Sequence, residues 1–240
     1  MIDWLRKEMI EPEIELNGTT IPIILKRHSR ARRLTLRMAP DGSSVQITLP
    51  QWARGREAIA FAHARRDWLS DQHAKIPQRQ SPTPGSTIRF RGNDLTVEWS
   101  HDAPRRPHRR VDAVVIGGPR DALERRLSRW LEREALTLFE NDAIEFCEVA
   151  KLDPVPVALS RAQRRWGSCS DRKRIRLNWR LVQAPDFVRR SVVAHEVTHL
   201  VHFDHSPAFH AMLDEIYDDD ISKADRWLKQ HGRSLYTSFG

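Results

Sequence analysis

The chain of 240 residues holds only two cysteines, Cys147 and Cys169, without the spacing of a metal knuckle. Two thiols are too few for a disulfide framework, so free thiols in a cytoplasmic protein are expected. No apolar run approaches the roughly 20 residues that span a bilayer, so no membrane partner is expected. The first residues, MIDWLRKEMIEPE, lack the apolar core of a secretory signal. No internal repeat is visible. Negative charge is in deficit. Lys and Arg number 40 against 32 Asp and Glu, a net charge of +8. That excess points to an anionic partner or substrate, or reflects an Arg-rich composition with no partner behind it.

What is present divides into two halves. The first is β-rich. Ile14 to Leu25 alternates around Asn17-Gly18, and Leu34–Met38 and Val45–Leu49 flank Asp41-Gly42. Ile88 to Trp99 alternates around Gly92-Asn93. Each predicts a hairpin. Gln51 to Lys75, with Trp52, Ile59, Ala62, Trp68 and Leu69, predicts one amphipathic helix. QRQSPTPG from Gln78 reads as a loop, and APRRPHRR from Ala103 as a basic, Pro-rich turn. Val111 to Ile116 adds a last strand. The pair Gly117-Gly118 with Pro119 predicts a boundary between domains 1–118 and 119–240.

The second half opens on a long helix. Leu123, Leu127, Trp130, Leu131, Ala135, Leu138, Phe139 and Phe146 recur at helical spacing, and Pro154 ends the pattern. Val155 to Leu159 reads as a short strand. Trp166–Ser170 and Ile175–Leu181 bracket Asp171-Arg172-Lys173 as a hairpin. Pro185 opens an apolar helix with Phe187, Val188, Val192, Val193 and Ala194. Ser206-Pro207 is an N-cap with Pro at the first helical position, starting a helix to about Tyr217. A last helix runs from about Ser222 to Gln230, with Gly232 suited to cap it. The fold class is α+β: a β-rich N-terminal domain with one helix, then a long helix, a small antiparallel sheet, the apolar helix and C-terminal helices.

The apolar helix carries the chemistry. It runs into HEVTHLVHFDH, which places His195, Glu196 and His199 in the H-E-x-x-H pattern. Residues at i and i+4 share a helical face about 6 Å apart along the axis, so both imidazoles can grip one tetrahedral metal. Glu196 projects beside that pair and can take a proton from water acidified by the metal. Chance alone can produce the pattern. Two His and a Glu on so apolar a helix, however, are costly without partners.

The third ligand is open to several residues. His202 shares the face of His195, but three ligands in line would span about 10.5 Å, too far to converge on one ion. His205 lies beyond the expected helix end and swings back if the chain turns at Phe203-Asp204. Metzincins use the same H-E-x-x-H-x-x-G-x-x-H spacing, with Gly where this chain has His202. His210, Asp214 and Glu215 on the next helix are the alternatives. His205 is preferred.

RRWGSCSDRKRIRLNWRL, from Arg164 to Leu181, followed by VVAHEVTHLVHFDHSPAFHAML, from Val192 to Leu213, resembles the YgjP-like metallopeptidase-domain family. That family comprises compact gluzincin-like zincins related to WLM and SprT-type metalloproteases. RHSRARRLTLRMAPDGSSVQITLP, from Arg27 to Pro50, is similar to its β-rich N-terminal part, so the likeness covers most of the chain. The resemblance implies one zinc ion per chain on His195, His199 and His205, with Glu196 as catalytic base. It also implies a zincin-like hydrolase domain over 119–240. His210 departs from the family pattern, which commonly has Trp there. Trp166 is expected to form a cleft wall or pack in the core. Gly167 is expected to allow close backbone approach, with its strand an edge for an extended peptide. Asn178 is expected to bond near the active site or to cap a turn.

Two activities follow. One is a zinc metallopeptidase acting on a peptide or protein substrate. The other is a metal-dependent pyrophosphohydrolase of nucleoside triphosphates, an activity some family members are labelled with. There the Arg-rich segments Arg27–Arg37 and Arg161–Arg180 would hold phosphates. A basic nucleic-acid-binding protein with a purely structural metal is a third class. A structural site usually has four protein ligands and no base beside it, so Glu196 argues against that class.

Overall fold

The computed structural model describes residues 12–76 and 80–239. The N-terminal stretch before Pro12 and the start of the loop from Gln78 lie outside the described residues. Chain contacts separate two compact units, Met1–Gln78 and Arg79–Gly240.

The first unit is a four-stranded sheet under two helices. Strands β1 (Glu13–Leu16) and β2 (Thr19–Arg27) form the expected hairpin. Asn17 and Gly18 turn it with φ of 51° and 77°, the positive pair that a type I′ turn requires. Strands β3 (Thr35–Met38) and β4 (Val45–Leu49) pair antiparallel around Gly42. The sheet order is β1-β2-β4-β3, and the central pair β2–β4 is parallel. Alternation buries Ile14, Leu16, Ile21, Ile23, Val45, Ile47 and Leu49 on one face.

The expected single helix is two, α1 (Gly55–Ala64) and α2 (Arg66–Ala74), broken at Arg65. α1 packs on β2 and β4, and α2 on β1 and β3. The break lets one segment cover the sheet centre while the other meets its edge strands. Ala58, Ala62 and Leu69 face the core. Trp52 and Trp68, expected on the apolar stripe, are 75% and 44% exposed.

The second unit begins with strands β5 (Thr87–Phe90), β6 (Asn93–Trp99), β7 (His108–Arg109) and β8 (Ala113–Ile116), in the order β5-β6-β8-β7. The β5–β6 turn falls on Arg91 and Gly92, one residue before the expected Gly92-Asn93. Helix α3 (Leu123–Val149) follows. Its Leu123, Leu127, Trp130 and Leu131 share one core with Ile88, Phe90, Leu95, Val97, Val114 and Ile116 of the sheet. Phe90 stacks on Trp130 at 5.3 Å.

Chain contacts divide after Gln78, and α3 shares one core with the β5–β8 sheet on the other side of Gly117-Gly118-Pro119. These glycines serve close packing, not a linker. A Cβ on Gly117 would lie 1.8 Å from the Ala103 carbonyl oxygen. Gly117 also donates its N–H to the Pro104 carbonyl at 2.8 Å.

Strands β9 (Val157–Ser160), β10 (Gly167–Cys169) and β11 (Ile175–Asn178) form the third sheet. The expected hairpin is β10–β11. β9 pairs parallel with β11, so the sheet is mixed where an antiparallel one was expected, and β10 is an edge strand. The chain continues through a buried 3-10 turn, Trp179–Gln183, into α4 (Asp186–Thr198), then α5 (Pro207–Ile216), α6 (Ile221–His231) and the 3-10 turn Gly232–Tyr236.

A buried ion pair fastens α4 to α3. Arg189 Nε and Nη2 donate to the two Asp142 oxygens at 2.6 and 3.2 Å. Arg190 adds bonds to Asp142 and Glu145. Gly232 stands at the end of α6, but with φ of −57° it forms no left-handed cap. It is small because a Cβ there would meet the Trp166 ring at 2.9 Å. Both cysteines are free. Among the described residues no helix is long and apolar enough to cross a membrane.

Candidate metal centre

Helix α4 buries Val188, Val193, Ala194 and Val197 in the core. Its partly exposed side carries His195 and, one turn on, His199. The helix stops at Thr198, and His199 is already the C-cap, with ψ of −11°. A tight turn follows, in which Leu200 N–H bonds to the Val197 carbonyl and His202 N–H to that of Thr198. The chain reverses before α5, whose N-cap Ser206 accepts from the Phe209 N–H with Pro207 behind it. His205 is the last residue before that cap, and the reversal carries its ring back to α4.

The three imidazoles converge. His199 Nε2 lies 3.1 Å from His195 Nε2, and His205 Nε2 lies 3.3 Å from it. Ligand atoms of all three fall within 4.8 Å of one another. Metal–nitrogen bonds of about 2.0–2.1 Å put tetrahedral donors about 3.3 Å apart. The observed spacing is that of donors sharing one ion.

Protonation agrees. His199 Nδ1 sits 2.9 Å from the His202 carbonyl oxygen, which can only accept. Nδ1 therefore carries the proton, and Nε2 is left with a free lone pair aimed at the other rings. Burial, then the imidazoles of His199, His205 and His210, push His195 down to about 4. It is neutral near pH 7, the form a metal takes. Phe209, fully buried, touches all three rings at 4.8–5.0 Å between centroids and floors the site. Its apolar identity hid it in the sequence, although the Ser206-Pro207 cap fixes where it points.

The other candidates stand outside this group. His202 contributes its carbonyl and not its ring. His210 is exposed, 5.4 Å from the Phe209 ring. Asp214 and Glu215 are exposed on α5 and supply no atom to the histidine cluster.

Glu196 is buried next to this centre, 5% exposed. Its Oε1 packs on Gly167 of β10 so closely that a Cβ there would lie 2.3 Å away. Among the described residues its Oε2 has no hydrogen-bond partner. Burial pushes the carboxyl up to about 7, against the Arg165 charge and a backbone hydrogen bond from Cys169. A buried carboxylate oxygen without a protein partner is costly unless a cation or a polarised water completes it.

A cleft of about 220 Å³ opens on this group. Trp166 and Gly167 line one side, Ser191, Val192, His195 and Glu196 the floor, and Ile221, Asp225 and Leu228 of α6 the other side. Besides lining the cleft, Trp166 packs with its ring 6.1 Å from that of Tyr236. Asn178 does not line the cleft. It is fully buried, donating to the Ala162 carbonyl and Tyr236 Oη and accepting from Arg180 N–H, so it is a turn cap. The α6 wall had no signal in the sequence, because its residues read as an ordinary amphipathic helix.

The arrangement offers three imidazole nitrogens, an unpaired carboxylate oxygen beside them, and an edge strand along one wall. His195, His199 and His205 would hold a metal ion through three protein nitrogens, one fewer than the four protein ligands usual in a structural site.

Comparison with known proteins agrees in part. No curated protein matches the chain. Among solved structures, the metallopeptidase zymogen of Pyrococcus abyssi abylysin is similar, with a TM-score of 0.33 and 16% identity, covering 42% of this chain and 96% of that one. The YgjP-like, metallopeptidase domain family model matches residues 32–231, which takes in the chain from β3 to the end of α6, with α3 and the histidine cluster, and leaves out β1 and β2. The chain belongs to the YgjP-like metallopeptidase-domain family.

Proposed function

We propose that the chain is a zinc-dependent peptidase whose ligands are His195, His199 and His205 and whose general base is Glu196. The observation that carries this reading is the mutual approach of three imidazole Nε2 atoms with an unpaired buried carboxylate oxygen beside them. Three imidazole nitrogens suit zinc among the common ions. Zinc, when bound, supplies Lewis acidity for a carbonyl and lowers the pKa of water.

The chain's own residues do the rest. Glu196 Oε2 accepts a proton from the attacking water and later hands it to the departing amine. Gly167 leaves room for that carboxylate. β10 lies at the edge of its sheet, and an extended peptide laid along it passes Trp166 and reaches the histidines. Desolvation of Glu196 keeps its pKa near the working range, which favours proton transfer in both directions.

The pyrophosphohydrolase reading draws no support from the cleft, whose lining contains no Arg or Lys and two acids, Glu196 and Asp225. Of the segment 161–180, Arg161 bonds to Glu132, and Arg180 is buried against the Phe239 carbonyl. Incubation of the zinc-loaded protein with a mixed peptide library and with nucleoside triphosphates separates the two. Peptide cleavage that Glu196→Gln abolishes is expected. Glu196-dependent phosphate release without peptide cleavage would overturn the reading.

A further inference from the structure

Away from the cleft, five arginines share one surface hollow. Arg126, Arg129 and Arg133 of α3 face Arg105 and Arg106 of the β6–β7 loop across a space of about 510 Å³, with Pro107 the remaining lining residue. No carboxylate lines it. An adjoining hollow adds Arg109, with Glu134 as its one acid. Arg105 and Arg106 belong to the basic APRRPHRR turn, and only the fold brings the three helix arginines up to them.

The hollow is built rather than accidental. The loop is pinned by the bond from Gly117 N–H to the Pro104 carbonyl. Gly118, at φ of 81°, has no Cβ, and Arg126 and Arg105 both crowd the space one would fill. Arg126 Nη2 donates to the Pro119 carbonyl at 2.5 Å, while its Nε is buried with no partner among the described residues. Like charges are thus held side by side, at a Coulomb cost that an anion in the hollow would relieve.

We propose that this hollow binds the phosphodiester backbone of a nucleic acid. The cations are all arginine, whose planar fork pairs with the oxygens of phosphate and of carboxylate. Their spacing is what selects a phosphodiester over an acidic polypeptide. Arg126, Arg129 and Arg133 follow one helix face with rises of about 4.5 and 6 Å, on the order of the spacing of backbone phosphates. The hollow lacks any aromatic ring on which a base could stack, so binding reads backbone and not sequence. It needs no metal, since none of its residues belongs to the histidine cluster.

The test is fluorescence anisotropy of the full-length protein with labelled oligothymidylate across a salt series, with and without chelator. Arg129→Ala/Arg133→Ala, both on the exposed helix surface, is compared with Arg172→Ala/Arg174→Ala, an exposed pair of equal charge. The first pair is expected to weaken binding at least tenfold at low salt. It should also flatten the log–log salt slope by about 1.4, two phosphate contacts' worth. The control pair should change affinity less than twofold, and chelator should change nothing. Absence of wild-type binding, equal weakening by both pairs, or equally good competition by polyglutamate would overturn the proposal.

Discussion

Glu196 and Gly167 show how much one atom decides. The glycine's missing Cβ is the space in which the carboxylate lies. Gly167→Ala must push Glu196 aside, or β10 away from α4. A misplacement of about 1 Å costs on the order of a hundredfold in rate. The expected result for Gly167→Ala is a kcat lowered about that much with full metal content, measured by steady-state peptidase assay beside metal analysis. A kcat within threefold of wild type would detach Gly167 from the site. The need for glycine there was legible, because R-W-G-S-C-S precedes the metal helix and a glycine in a strand signals close approach. Its partner was not, since nothing in the sequence pairs 167 with 196. For Asn178 the capping alternative holds, and its carbonyl oxygen accepts from Arg180 N–H two residues on.

Among elements, α3 and α4 carry the centre together. Their buried tie is Asp142 with Arg189, at 6% and 4% side-chain exposure. Removing one partner of a buried pair typically costs about 3–5 kcal/mol, and because Arg189 keeps its ion pair with Asp186, the low end of about 3 kcal/mol applies to Asp142. Asp142→Ala is therefore expected to lower unfolding free energy by about that amount in a denaturant titration. A loss below about 1 kcal/mol would show that the pair does not hold the helices. Antiparallel hairpins were readable because both strands and their turn lie within one short window. The parallel pairs β2–β4, β6–β8 and β9–β11 were not, because their partners lie farther apart with another segment between them. The break at Arg65 escaped notice for a related reason. It depends on which strands each half-helix must cover, and that is a property of the sheet.

At the scale of the whole molecule, each unit has its own apolar core. The histidines, Glu196 and the cleft all belong to the second unit, whose core needs β5, β6 and β8 as well as α3. A fragment of residues 80–240 is therefore expected to fold cooperatively and retain metal. A fragment of residues 119–240, cut where the glycines suggested, exposes Leu123, Leu127, Trp130 and Leu131 and is expected to aggregate. Circular dichroism melts of the two decide it, and a stable 119–240 fragment would restore the earlier boundary.

The central claim is that His195, His199 and His205 hold one zinc with Glu196 outside the ligand set. Zinc content per chain after dialysis tests it most directly. One zinc is predicted for the wild type and for Glu196→Gln, and a small fraction of one for His205→Ala. Full zinc retention by His205→Ala, with loss instead in Asp214→Ala or Glu215→Ala, would contradict the account.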